Sequence, residues 1–330
     1  MLKAIHILFW MVMLSIGSHA QDIHYSQFFN SPLNLSPALT GMHNGDGRIH
    51  ANYRSQWSSV PVGYTSADIG ADLKHRFNDK GFLGYGLLLN YDRAGDLSLG
   101  WNGVNGFLSY SFRLGDKSLI TPGVTLGYKQ RSFDQGNATT GSQWTGKGVG
   151  TGGAEGIATD QIGFMDLDVG LNYRYQSSYR KHLDIGASLA HLNSPEQQFD
   201  NSGNYQVVRP RRLNIYGMLN YAILNDLDLI VNALYSDQGP YNEIVVNGQG
   251  KIYLSKAKDK ALFLGLGYRF DDALYPMIAL QVGQLYGSFS YDLNISNWDI
   301  ASDSRGGPEL SLRYIWSKVP DVAYQPCLIY

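Results

Sequence analysis

Apolar and polar residues alternate along most of the chain with the period of two that is typical of β-strands. In one run, apolar side chains occupy the odd positions from Met165 to Tyr175, and polar residues such as Asp166 and Arg174 occupy even positions. Each segment of this kind has one apolar face and one polar face. The pattern therefore predicts an all-β protein.

The alternation divides the chain into about fourteen segments, with twelve and sixteen strands as neighbouring possibilities. Most are at least as long as the roughly 9–11 residues that a tilted strand needs to cross a bilayer. The predicted strands lie at about residues 48–57, 62–76, 82–91, 99–114, 119–131, 162–176, 182–193, 208–222, 226–236, 242–254, 260–270, 275–283, 286–296 and 308–317.

The connections between these segments alternate between short and long. Short turns fall near residues 78–81 and 284–285, and long loops fall at 132–161, 194–207 and 297–307. Outer-membrane barrels have short periplasmic turns and longer outer loops. The alternation therefore favours a closed antiparallel transmembrane barrel over a soluble sandwich or propeller, in which the apolar faces would pack inward.

Aromatic residues stand near several predicted strand ends. They include Trp57, Tyr91, Trp101, Tyr175 and Trp316. Because tyrosine and tryptophan concentrate at membrane–water interfaces, we expect these side chains to form an outward-facing aromatic girdle.

The first twenty residues have the features of a cleaved secretory signal peptide. Lys3 gives a basic start, residues 5–16 are mostly apolar, and Ser18 and Ala20 are small residues before the predicted cleavage point. An uncleaved anchor is the alternative, but the apolar stretch is short for a membrane span.

The chain has few charged residues, and their signs nearly balance, which limits the kinds of molecule it can bind by charge. The chain has 26 Lys+Arg and 28 Asp+Glu in 330 residues, a net charge of −2. This balance gives no basic surface for nucleic acid, so no nucleic-acid partner is expected. Inward-facing charges of both signs leave two possibilities, ion pairs across the lumen or the lining of a water-filled pore.

No motif predicts a catalytic, cofactor or metal site. Residues 141–147 resemble the opening of a phosphate-binding loop, but Gly148 stands where the Mg²⁺-binding Ser or Thr should be. The histidines show no metal-ligand spacing, and the single cysteine, Cys327, cannot form an intrachain disulfide. We therefore expect no enzyme activity, no cofactor and no metal. We also expect Cys327 to be neither catalytic nor lipid-linked.

Several blocks of sequence are long enough to be specific for a family. They are QDIHYSQFFN (21–30), PLNLSPALTG (32–41), NYRSQW (52–57), NYDRAGD (90–96), NALYSDQGPYNE (232–243), GYRFDDALYP (267–276) and RGGPELSLRY (305–314). These blocks resemble the PorP/SprF family of type IX secretion system outer-membrane proteins. The resemblance implies a barrel that works with the type IX secretion and gliding machinery. The implied partners are outer-membrane lipid, other secretion components and a large cell-surface client protein, and no catalytic residue is implied.

The division of the chain follows from these patterns. Residues 21–47 are too polar and too interrupted by proline to span a membrane as a strand, so we expect a plug in the barrel or a periplasmic contact. Residues 48–317 form the predicted barrel, and residues 318–330 form a periplasmic tail.

The long loops are expected to face the cell exterior and to bind the client, because binding residues concentrate on loops held by a rigid scaffold. The candidate contacts are Trp144, Phe199, Tyr205, Trp298 and Asp299. For each residue, simple exposure or packing within the loop is the alternative. The sequence thus predicts assistance in the export or surface attachment of a specific cell-surface protein. A channel for small or hydrophobic solutes is the alternative function.

Overall fold

The fold was analysed in a computed structural model of the chain. The structure describes residues 22–56, 63–78, 80–95, 97–134, 143–146, 148, 150, 159–199, 207–295 and 305–317. The expected signal peptide, Trp57 and the C-terminal tail with Cys327 lie outside the described residues.

Fourteen antiparallel strands form a closed barrel, as the alternating pattern predicted. In chain order the strands are β1 (Gly47–Gln56), β2 (Tyr64–Asn78), β3 (Gly81–Ala94), β4 (Leu99–Gly115), β5 (Ser118–Ser132), β6 (Gln161–Ser178), β7 (Lys181–Ala190), β8 (Arg212–Ala222), β9 (Leu227–Gln238), β10 (Tyr241–Tyr253), β11 (Lys260–Arg269), β12 (Ala273–Val282), β13 (Leu285–Asn294) and β14 (Arg305–Trp316).

Each strand pairs with its neighbours in sequence, and β1 closes the ring by pairing with β14. Ala51 of β1, for example, lies opposite Leu312 of β14 and Ile69 of β2. Closure leaves no free sheet edge, so the strands satisfy one another's backbone hydrogen bonds within an apolar bilayer.

The two ends of the barrel differ in the length of their connections. At one end, here called the short-turn end, only a few residues join the strands, as between Gly115 of β4 and Ser118 of β5. The opposite end, called the long-loop end, carries the connection from Ser132 of β5 to Gln161 of β6. The longest connections therefore all lie at one end, as predicted, although β9–β10 and β11–β12 are joined there by only two and three residues.

The outer and inner faces of the strands differ in chemistry. Outward-facing side chains such as Leu87, Leu89 and Leu126 are large, apolar and exposed on the barrel surface. The inward positions of the same strands carry glycine and polar residues, such as Asn90 of β3 and Thr125 of β5. This arrangement suits lipid on the outside and a polar lumen inside.

The predicted aromatic girdle is correct for two tyrosines and wrong for Trp101. Tyr91 and Tyr175 point outward and are 44% and 42% exposed. Trp101 is buried, because odd positions of β4 face the lumen, and it packs against Ile23 and Tyr25. A residue near a strand end faces lipid only if its position in the alternation points outward.

The segment before β1 forms three short helical turns, at Phe28–Asn30, Pro32–Leu35 and Pro37–Leu39. A proline begins each of the last two, where the missing N–H is not needed. Among the described residues, no helix is both long enough and apolar enough to cross a bilayer.

Candidate functional site: a filled lumen

The N-terminal segment, residues 22–46, fills the barrel and is here called the plug. Its first residues lie at the long-loop end, where the guanidinium of Arg212 donates to the Ile23 carbonyl oxygen at 3.0 Å. Its last residues reach the short-turn end, where the Asp46 N–H donates to the Trp316 carbonyl oxygen at 2.8 Å. The plug therefore runs the length of the lumen before the chain turns back into β1.

An apolar cluster anchors the middle of the plug. Phe28, Leu35, Leu39 and Met42 pack against inward side chains of the wall. The wall residues of this cluster are Phe82, Leu119, Tyr216, Leu234, Val245 and Tyr275. Burial of each large apolar side chain stabilises the docked plug by about 1.5–3 kcal/mol.

Buried carboxylates of the barrel wall accept hydrogen bonds from the plug backbone. Glu309 of β14 accepts from the N–H groups of Ser26 and Gln27, each at 2.8 Å. Asp72 of β2 accepts from the N–H of Gly41 at 2.7 Å. Together these bonds fix the height of the plug at two levels of the lumen.

A network of charges surrounds the first of these levels. The Asp292 carboxylate lies 2.7 Å from a guanidinium nitrogen of Arg54 and 2.9 Å from one of Arg269. It also accepts from the hydroxyl of Ser26 at 2.8 Å. Arg54 in turn donates to the carbonyl oxygen of His24. The inward charges here pair with one another and with the plug, which favours the first of the two possibilities left by the sequence.

Asp68 of β2 holds the plug at a middle level. Its carboxylate accepts from the Ser31 hydroxyl at 2.8 Å and from the amide of Asn34 at 3.0 Å. The amide of Asn52 donates to the other oxygen of Asp68 at 2.8 Å. A buried carboxylate with several donors is well satisfied, so the site stabilises the docked plug.

Glycines of the wall make room for the plug backbone. A Cβ added at Gly123 of β5 would lie 2.5 Å from the carbonyl carbon of Pro37. One added at Gly170 of β6 would lie 2.5 Å from the hydroxyl oxygen of Ser36. Both glycines face the lumen, and their lack of a side chain lets the plug backbone approach the wall closely.

A second charged cluster lies at the long-loop end, where the plug begins. Asp22 is ion-paired with Arg209, and its carboxylate also meets Nε2 of His191. Burial alone would raise the pKa of Asp22, but the nearby Arg209 and His191 outweigh burial and hold that pKa well below its usual value. Asp22 is therefore anionic at neutral pH and fastens the start of the plug to the β7–β8 connection.

This cluster includes a group of possible metal ligands that the sequence did not suggest. Ligand atoms of Asp166, Asp168 and His191 lie within 4.8 Å of one another. However, Asp166 is ion-paired with Lys129, and Nδ1 of His191 lies 2.7 Å from an Asp166 oxygen. Because these groups already have partners within the chain, the arrangement favours an ion-pair network over a metal centre.

Two of the five predicted contact residues fall in the described part of the chain. Trp144 is 62% exposed. Phe199 packs edge-on against Phe133, with ring centroids 5.0 Å apart. Tyr205, Trp298 and Asp299 lie outside the described residues.

The sequence did not predict which residues of the plug and of the wall contact each other. Glu309 and Ser26 are 283 positions apart in sequence, so no local pattern pairs them. The only available signal was the run of polar residues and prolines that excluded residues 21–47 from the barrel wall.

The lipid-facing outer surface and the filled lumen together define an outer-membrane β-barrel protein with an internal plug. The chain belongs to the PorP/SprF family, because the family model for the type IX secretion system membrane protein PorP/SprF matches residues 17–314. The protein is thus an outer-membrane protein of a secretion family.

Several solved structures have a similar fold. The toluene transporter TbuX of Ralstonia pickettii is 10% identical, with 86% of this chain and 92% of that chain covered and a TM-score of 0.50. A FadL homologue of Pseudomonas aeruginosa is 10% identical, with 84% and 92% covered and a TM-score of 0.51. A mutant of the TodX monoaromatic hydrocarbon channel is 8% identical, with 86% and 93% covered and a TM-score of 0.51. At such identities the likeness shows the fold alone. A search of curated proteins found no match.

Proposed function

We propose that this protein assists the export or surface attachment of one large cell-surface protein as part of the type IX secretion and gliding machinery. The observation that carries the proposal is the family match, which begins before the plug and extends into β14. Other secretion components, outer-membrane lipid and the client are its partners. The protein acts without enzyme activity, cofactor or metal.

The filled lumen supports a scaffold more than a conduit. The plug is held by the apolar cluster around Leu39 and by hydrogen bonds to Glu309, Asp68 and Asp72. A client that passed through this barrel would have to displace all of these contacts. We therefore propose that the client binds at the long-loop end, where Trp144 is exposed. Phe199, Tyr205, Trp298 and Asp299 of the neighbouring loops complete the proposed surface.

Deletion of the gene tests the proposal directly. Surface display of the client, measured by antibody labelling of intact cells, should be lost and should return with the wild-type gene. A pull-down from detergent-solubilised membranes should recover the client and secretion components. Normal display in the deletion strain would contradict the proposal.

A channel for small or hydrophobic solutes is the second candidate, and it is favoured by the fold shared with hydrocarbon transporters and channels. Planar-bilayer recording separates the two functions. Steady conductance by the wild-type protein would support a channel, whereas electrical silence would support a plugged scaffold.

A further inference from the structure

A cavity of about 210 Å³ opens at the short-turn end, beside the end of the plug. It is bordered by the turn between β12 and β13 and by the last residues of β14. Its lining includes Asn44, Gly45, Lys251, Gln281, Tyr286 and Arg313. This end is the periplasmic one if the barrel follows the usual rule for turn length.

Two cationic side chains meet in this cavity, and both lie against aromatic rings. Nζ of Lys251 is 4.8 Å from the ring centre of Tyr253 and 5.3 Å from that of Phe263. The guanidinium of Arg313 lies 4.4 Å from the ring centre of Tyr286. The rings provide some attraction for the cations but accept no full hydrogen bond.

Neither head group has a hydrogen bond or an ion pair within the described part of the chain. The nearby carboxylate of Asp228 is already occupied, because it binds Arg180 and accepts from the Tyr253 hydroxyl at 2.8 Å. None of the described residues that line the cavity is acidic. The described wall of the cavity is therefore positively charged and supplies no counter-ion.

This situation differs from that of other inward-facing cations. Arg48, Arg54 and Arg174 each contact a buried carboxylate within 2.8 Å, and Lys74 and Arg212 donate to carbonyl oxygens of the plug. Both cations of the cavity are half-buried. A charge that is partly withdrawn from water without a partner is costly, so native proteins tend to pair such groups or bind an ion at them. Two neighbouring exceptions in one open cavity point to a ligand of opposite charge.

We propose that this cavity binds an oxyanion, a carboxylate or phosphate group, that enters from the short-turn end. The Arg313 guanidinium is planar and rests on Tyr286, so its edge can donate two parallel hydrogen bonds to one oxyanion. Lys251 adds a compact positive charge from β10. The amides of Asn44 and Gln281 add neutral donors. The inference does not depend on the identity of the client protein.

The test uses the full chain purified in detergent, with inorganic phosphate and citrate as probes at constant ionic strength. Titration calorimetry measures affinity, and a thermal unfolding curve measures protection relative to chloride. Both anions should bind and raise the unfolding midpoint if the site accepts oxyanions in general. Binding of phosphate alone or citrate alone would assign the site to that group.

Lys251→Met and Arg313→Gln are the informative variants, because both keep side-chain bulk and remove the charge. Each should weaken anion binding about tenfold or more, the loss expected when a hydrogen bond to a charged group is removed. Without anion, Lys251→Met should be at least as stable as the wild type, since it removes an uncompensated charge. If Lys251 only stabilised the fold, Lys251→Met would instead be less stable than the wild type.

Lys256→Gln is the matched control, because Lys256 is an exposed cation in the β10–β11 turn at the same end. It should bind phosphate and citrate as the wild type does. Failure of both anions to bind or protect the wild type would overturn the proposal. Equal affinities in the wild type and both cavity variants would also overturn it.

Discussion

Replacement of Gly123 by alanine should loosen the plug without damaging the barrel. Gly123 faces the lumen from β5, and an added Cβ would lie 2.5 Å from the carbonyl carbon and oxygen of Pro37. It would also lie 2.6 Å from the backbone nitrogen of Ala38. All three atoms belong to backbone, so no side-chain rotation can relieve the contact.

The distances set the size of the effect. Ordinary contact begins at 3.4 Å, so the plug and the wall would have to separate by 0.9 Å at this point. Overpacking of this kind typically costs about 1–3 kcal/mol. The ring of strands is held by hydrogen bonds on both sides of β5, whereas the plug is a separate segment. We therefore expect the plug to give way, which would raise the undocked fraction by roughly 5-fold to 150-fold.

Two measurements follow the undocked fraction. Limited proteolysis should cleave the plug faster in Gly123→Ala than in the wild type, and planar-bilayer recording should show openings that the wild type lacks. Gly248→Ala is the matched control, since Gly248 lies on the outward face of β10 and an added Cβ would meet nothing within 4 Å. It should behave as the wild type in both assays.

The reasoning would be refuted if Gly123→Ala and Gly248→Ala were cleaved at the same rate and gave the same conductance. Loss of the folded barrel in Gly123→Ala alone would refute the claim that the plug yields before the wall. Heat-dependent mobility on a gel, which reports the closed barrel, distinguishes this result from undocking.

Three further predictions concern the charges and the loops. Arg54→Met leaves Asp292 with one fewer counter-charge in a buried site. It should lower the free energy of unfolding, measured by denaturant titration, by about 3–5 kcal/mol. The double variant with Asp292→Asn should recover part of this loss. Because the pKa of Asp22 is held below its usual value of about 3.9, its stabilisation of the plug should be complete above about pH 4 and decline as the pH falls further. Hydrogen exchange at the start of the plug should show a larger decline in the wild type than in Asp22→Asn, in which only the other carboxylates titrate. Trp144→Ala should reduce recovery of the client in a pull-down without changing the unfolding midpoint, because the side chain is 62% exposed; unchanged recovery would argue against its role.

The barrel could be predicted from sequence because its signal is local and repeated. A residue such as Leu87 needs only its neighbours in the alternation to be assigned to the lipid face. The lengths of the connections gave a second signal that did not depend on the first. The error at Trp101 arose because proximity to a strand end was used without the parity of the position.

The contents of the lumen could not be predicted in the same way. An inward-facing Asp68 or Asp72 is compatible with water, with an ion pair or with a plug, since all three satisfy a carboxylate. The partner of Glu309 lies at the other end of the sequence, at Ser26. Glycine is equally ambiguous, because Gly123 in a strand indicates a close approach without identifying the approaching segment.

The same contacts explain why the lumen is filled and not merely narrow. A barrel of fourteen strands is wider than the eight-stranded barrels whose side chains alone fill the interior. Here the remaining space is taken by a segment whose N–H groups are bound by Glu309 and Asp72. Removal of the plug would leave Glu309 without these donors and would expose the apolar cluster around Leu39 to water. Opening of the lumen therefore requires an input of binding energy, and in the proposed scaffold function a client or another secretion component at the long-loop end would have to supply it.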